Sequence, residues 1–177
     1  MLSGFVSRGP IIGNAEIDAF QRWCGFDLPP EYRQFLLEQN GGERASVQTL
    51  EEALEADGWP REHRFFSLNA AAAAGLSAED AAAFGNEIAE AWPGAQYDLE
   101  VQTRWHRGNG DFRDYPPELL PVALVYHHDL LLLRLAEPHP GAVLYAWDPD
   151  GYCEWHLGEV ASSFAELLRD FESHEWA

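Results

Sequence analysis

Leu28-Pro29-Pro30-Glu31-Tyr32-Arg33-Gln34-Phe35-Leu36-Leu37-Glu38-Gln39-Asn40-Gly41-Gly42 decides the fold of this 177-residue chain. The run holds both ends of one short helix and the face that the helix buries. Proline suits a first helical position, because its missing N–H needs no partner there and its φ is already helical. Glu31 falls in the first turn, where the helix dipole favours negative charge. Tyr32, Phe35 and Leu36 follow the i, i+3, i+4 spacing and share one apolar stripe. Asn40, Gly41 and Gly42 tolerate the left-handed conformation that closes a helix. The residues predict a helix of about ten residues, docked by an aromatic face.

Upstream, Ile17, Phe20 and Cys24, with Trp23 beside them, form a helical stripe after Asn14, a candidate cap. Gly25-Phe26-Asp27 breaks it. Downstream, Thr49 to Glu52 fits a capping box that opens a short acidic helix reaching Ala56, ended by Gly58-Trp59-Pro60. Arg64 to Leu68 reads as a strand. The Ala-rich stretch from Asn69 to Ala83 is helix-forming. Ser77 with Asp80 supplies a start, Phe84, Ile88 and Trp92 recur every four residues, and Pro93-Gly94 stops the run. We read residues 69–95 as a helical insertion, carrying one helix, into a single domain spanning residues 1–177.

Tyr97, Leu99, Val101, Thr103 and Trp105 alternate with polar residues, which predicts a strand with one buried and one wet face. Residues 106–117 read as a loop. Val122 to Tyr126 and Leu130 to Leu135 pair as a hairpin through His127-His128-Asp129. Ala142 to Trp147 and Tyr152 to Leu157 pair through the turn Asp148-Pro149-Asp150-Gly151. Ser163 and Glu166 form a capping box, and Phe164, Leu167, Leu168 and Phe171 share one face of a closing helix. The order predicts an α+β fold, a mainly antiparallel central sheet with helices packed against it.

Three segments carry a family resemblance. Leu28, Pro29, Tyr32, Phe35, Leu36, Asn40, Gly41 and Gly42 match the pattern L-P-x-x-[YF]-x-x-[FL]-L followed by N-G-G. Val160 to Leu168, with Ser163 and Phe164, is similar to a "vAxSFxxfL" helix start. Leu120-Pro121-Val122-Ala123 is similar to "llPiA". In this order the chain resembles the SUKH superfamily, the Smi/Knr-type domain. The Gly-Gly-Asp-like turn usual after the third segment is replaced by His127-His128-Asp129.

Composition narrows the function. Hydrophobic residues make up 46% and aromatics 13%, which argues for a folded chain and against disorder. No apolar run reaches membrane-spanning length, and the N-terminus lacks a secretory pattern, so a cytoplasmic protein with no membrane contact is expected. Cys24 and Cys153 are too few for a disulfide framework and read as reduced core thiols. Thirty acidic residues face eleven basic ones, all arginine, for a formal net charge of −19. Direct nucleic-acid binding needs a basic patch, and the sequence has none. A basic protein partner would be steered toward such a field.

Catalytic signals are weak. His127 and His128 are neighbours, and on a strand they would point to opposite faces, so a polar turn is the better reading than a metal site. Cys153 and His156 have the same difficulty. No phosphate loop, nucleophile elbow or His-Glu-x-x-His is present. With thirty acids, paired carboxylates arise by chance. We expect no enzyme activity, no cofactor and no metal. Recognition is better served by acids beside aromatics in loops. Three such patches are the candidate partner-binding residues: Glu51, Glu52, Glu55 and Asp57 with Trp59; Asp111 and Asp114 with Tyr115; Asp148 and Asp150 with Tyr152.

The resemblance implies a bacterial immunity protein, a cytoplasmic antidote to the toxin of a polymorphic or contact-dependent system. Its partner would be a cognate protein toxin, basic and nuclease-like. The alternative it implies is a regulatory or scaffold module of the Smi/Knr type with no toxin partner. Oligomeric state has no signal in the sequence.

Overall fold

The computed structural model describes residues 5, 7–43, 64–83, 94–108, 116–125, 129–147 and 156–173. Helix α1 spans Asn14–Cys24 and α2 spans Pro30–Glu38. Gly13, not Asn14, is the N-cap of α1; its N–H donates to the Glu16 carboxylate at 3.0 Å, the half of a capping box that a glycine can make, while no described side chain caps the first-turn N–H groups. Asn14 is the first helical residue instead, and its side-chain oxygen accepts from Arg33 at 2.7 Å. Arg33 also meets Asp18 at 2.7 Å and thereby ties α2 to α1. Tyr32, Phe35 and Leu36 are buried, as their spacing predicts. Asn40, at φ 48°, closes the helix with its N–H donating to the Phe35 carbonyl. Cys24 is a buried free thiol, pushed above its ordinary pKa by that burial, while Cys153 lies outside the described residues.

Six strands follow in chain order: β1 (Gly42–Glu43), β2 (Arg64–Phe65), β3 (Leu119–Leu124), β4 (Leu130–Arg134), β5 (Val143–Trp147) and β6 (His156–Ala161). Each pairs antiparallel with the next, so spatial order equals sequence order. The β3–β4 hairpin forms where the sequence places it, but β3 starts at Leu119 and takes in Pro121. The register shifts between Pro121 and Ala123, the kind of irregularity at which a residue without an N–H can sit in a sheet. The strand expected from Arg64 to Leu68 stops at Phe65. Beyond it Ser67 makes a lone parallel bridge to Asp98. β6 spans His156–Ala161, four residues past the expected end at Leu157, and Trp147 faces His156 instead of the Tyr152 that a four-residue turn at 148–151 would place there; residues 152–155 lie outside the described set.

Helix α6 (Phe164–Ser173) returns against α2. Its capping box is present but reaches one residue further back than expected. The Ser163 hydroxyl accepts the Glu166 N–H at 3.2 Å, while the Glu166 carboxylate accepts from the N–H and hydroxyl of Ser162. Phe35, Phe164 and Phe65 meet at centroid distances of 5.1, 5.3 and 6.1 Å, and Tyr32 meets Phe164 edge-on at 4.8 Å. This cluster locks both helices onto the sheet; burying each ring contributes roughly 1.5–3 kcal/mol.

The predicted strand from Tyr97 to Trp105 is instead a short 3₁₀ turn (Ala95–Tyr97) and a helix, α5 (Leu99–Gly108). On a helix, positions two apart lie about 200° apart, so a period-two pattern makes two opposite apolar stripes. Leu99 joins the main core, and Val101 with Trp105 packs on a separate alanine cluster of Ala71, Ala81 and Ala95. The helix is thus sandwiched between two apolar layers, and alternation cannot distinguish that from a strand. Two local signals do point to a helix. Asp98 caps it, accepting the N–H groups of Glu100 and Val101 at 2.9 and 3.2 Å. Glu100 and Arg104, four apart, form an ion pair at 2.6 Å. Arg107 then donates to the Cys24 and Pro117 carbonyls at 3.0 and 2.6 Å, joining α5 to the end of α1.

The alanine-rich segment holds two short helices among the described residues, α3 (Ala70–Ala73) and α4 (Ala78–Ala83), where the sequence predicts one. Gly75, at φ 85°, breaks the run, and Ser77 restarts it by accepting the Asp80 N–H at 3.0 Å. Phe84, Ile88 and Trp92 lie outside the described residues, as do the acidic helix expected from Thr49 to Ala56 and the turn at Trp59.

His106, expected in a loop, is buried on α5, and burial pushes its imidazole down to about 4 from an ordinary 6.5. The unfolded chain therefore binds a proton on this ring at a higher pH than the folded one does. Stability from the neutral ring is complete above pH 6.5 and is lost as pH falls toward about 4. That loss is at most about 3 kcal/mol. Urea unfolding from pH 7 to 4.5 should show wild type weakening relative to His106→Gln; parallel pH profiles would refute the assignment.

Candidate protein-interaction surface

The residues of the long motif are brought together in the interior. The Asn40 side chain donates to the carbonyls of Pro10 and Leu68 at 2.7 and 2.9 Å and accepts the Leu68 N–H at 2.8 Å. Its own carbonyl accepts the Gly9 N–H at 3.1 Å. One buried amide thus holds the N-terminal segment and the segment just after β2 against the end of α2. Gly41 and Gly42 follow at φ 77° and 109°, where other residues are strained, and backbone crowds both positions. Leu28, Tyr32, Phe35, Leu36 and Phe164 are core. Pro29 is the N-cap residue of α2, and Ser163 supplies the hydroxyl that receives the Glu166 N–H. The motif accordingly supports the scaffold and presents no reactive group.

The eleven acidic and aromatic residues expected to bind a partner all lie outside the described residues: Glu51, Glu52, Glu55, Asp57, Trp59, Asp111, Asp114, Tyr115, Asp148, Asp150 and Tyr152. So do His127 and His128. The strands that carry the third patch are described, however. Asp148, Asp150 and Tyr152 belong to the connection between β5 and β6, whose last facing pair is Trp147 and His156.

At that end the sheet carries a stack of rings. Tyr145 and Trp147 lie 5.5 Å apart at 15°, and Trp147 and His156 lie 5.4 Å apart at 25°. Tyr145 and Trp147 are two residues apart on one strand, and His156 faces Trp147 across the pair, so all three share one face. Gly158 lies beside the indole, and a Cβ there would meet the ring at 3.5 Å, an ordinary contact distance. The Tyr145 hydroxyl donates to the Asp129 carboxylate. His156 is exposed and Trp147 half-buried. Leu157, on the opposite face, is 44% exposed. Near it Glu159 approaches Arg134 at 3.9 Å and His139 at 3.7 Å, exposed pairs that contribute little to stability. Rigid aromatic area beside a carboxylate is the chemistry of a protein contact. Sequence reasoning assigned this strand but not the stack. The only available signal was the i, i+2 placement of Tyr145 and Trp147. The facing His156 depends on register.

Among the described residues no group of His, Cys, Asp and Glu is placed to hold a metal ion. No described helix is long and apolar enough to cross a membrane.

A sequence profile of the SMI1 / KNR4 family (SUKH-1) matches residues 12–170. The chain belongs to that family. A search of curated proteins finds no significant match. SUKH-1 membership agrees with the observed α+β fold, and the matched span runs from just before α1 into α6.

Proposed function

We propose that this SUKH-1 chain is an immunity protein that binds a cognate toxin one-to-one in the cytoplasm and blocks it by occlusion, without catalysis. Membership of a family that includes protein-binding immunity domains supports the reading. The observation that carries it further is the charge of −19 with no lysine at all. A surface of that sign is complementary to a basic, nucleic-acid-binding face, and a nuclease-type toxin has such a face to cover. The Tyr145–Trp147–His156 stack supplies the rigid anchor, and the acids of the β5–β6 connection supply steering.

The test is co-expression with the toxin gene encoded beside this one, followed by kinetics on the purified pair. Protection is expected, with an association rate falling about tenfold or more from low to high salt. Trp147→Ala should weaken the complex by about 2 kcal/mol with little change in melting temperature. Absence of protection from any adjacent toxin would sink the immunity reading. Protection with unaltered Trp147→Ala affinity would move the contact elsewhere.

A further inference from the structure

A pocket of about 340 Å³ opens between the N-terminal segment, β2 and α3. Two of the chain's eleven basic residues, Arg8 and Arg64, line it together with Ser67 and Tyr97. In so acidic a chain, two guanidinium groups at one cavity run against the overall field. The Arg64 guanidinium carbon lies over the Tyr97 ring, 4.0 Å from its centre, with one nitrogen 3.1 Å from the Glu43 carboxylate. That pairing leaves further N–H donors on Arg64. Arg8 is exposed and has no ion-pair partner among the described residues. Ser67 is only 6% exposed, yet its hydroxyl has no hydrogen-bond partner among the described residues. It is wedged in place: a Cβ on Gly9 or Gly41 would come within 2.4 or 2.5 Å of its oxygen. The methyl groups of Ala70, Ala73 and Ala74 make the remaining wall apolar.

We propose that this pocket binds a small organic anion. A carboxylate or phosphate group accepts charge-assisted hydrogen bonds from Arg8 and Arg64 and a further bond from the Ser67 hydroxyl. The body of the ligand lies along the alanine wall and the Tyr97 ring. The volume suits a metabolite-sized molecule and excludes a polymer. The site is independent of the toxin-binding reading, since it uses none of the residues of the aromatic stack.

The test is titration calorimetry with three probes, each at matched ionic strength: inorganic phosphate, a sugar phosphate and citrate. At least one organic anion should bind more tightly than inorganic phosphate and raise the melting temperature. Arg8→Ala removes an exposed, unpaired side chain, so the unliganded protein should melt as wild type while affinity falls about tenfold or more. Ser67→Ala should weaken binding in the same direction. Absence of binding by every probe at millimolar concentration overturns the proposal. Binding that survives Arg8→Ala unchanged also overturns it, by placing the anion elsewhere.

Discussion

Gly41→Ala is expected to destabilise the protein by about 3 kcal/mol or more. Gly41 sits at φ 77°, where a side chain costs roughly 1 kcal/mol before any contact is counted. The added Cβ would then lie 2.5 Å from the Ser67 oxygen and 2.6 and 2.7 Å from the carbonyl oxygen and carbon of Phe66. Two of those three atoms are backbone, so no flexible side chain can swing away. The end of α2 must part from the strand beside it, and the Asn40 hydrogen bonds to Leu68 part with it. Gly75→Ala is the matched control. Gly75 has a similar φ of 85° but nothing within 4 Å of the added carbon, so only the backbone strain should appear. Denaturant unfolding of both variants checks the difference. Equal losses would show that conformation alone, and not close approach, demands glycine at position 41.

Tyr32→Ala should cost about 3–5 kcal/mol, whereas Tyr32→Phe should cost nothing or stabilise slightly. The ring is fully buried, stacked near Phe35 at 5.9 Å and edge-on to Phe164 at 4.8 Å. Removing it opens a cavity between α2 and α6. The hydroxyl, by contrast, has no hydrogen-bond partner among the described residues, and burial holds its pKa well above the ordinary value. Losing an unsatisfied buried hydroxyl removes a desolvation cost and leaves no other group unpaired. The motif pattern accepts Phe at this position, as that argument requires. Melting temperatures decide it: an unchanged value for Tyr32→Ala, or a loss of several degrees for Tyr32→Phe, would contradict the packing account.

Both variants act on the scaffold, which separates them from the proposed partner surface. The family motif was legible in the sequence because its physics is local. The candidate site was legible only in part. The acids and aromatics beside Trp59, Tyr115 and Tyr152 are visible as composition, but composition does not say which of them face one partner. The stack of Tyr145, Trp147 and His156 needs the β5–β6 register, which pairs residues nine positions apart in sequence.

Sequence alone determined the start and end of α2, the buried stripes of α1 and α2, and that β3 pairs with β4 and β5 with β6, but not the register of the second pair. These follow from proline and glycine backbone preferences and from apolar period, which act within a few residues. Tertiary structure decided the rest. Residues 99–108 became a helix because two apolar layers receive its opposite faces, and an alternating pattern fits that environment as well as it fits a strand. Asn40 became a hub because segments about thirty residues away on either side bring it their backbone groups. Arg8, Arg64, Ser67 and Tyr97 share a pocket for the same reason: chain closure, and no local rule, sets which distant side chains meet.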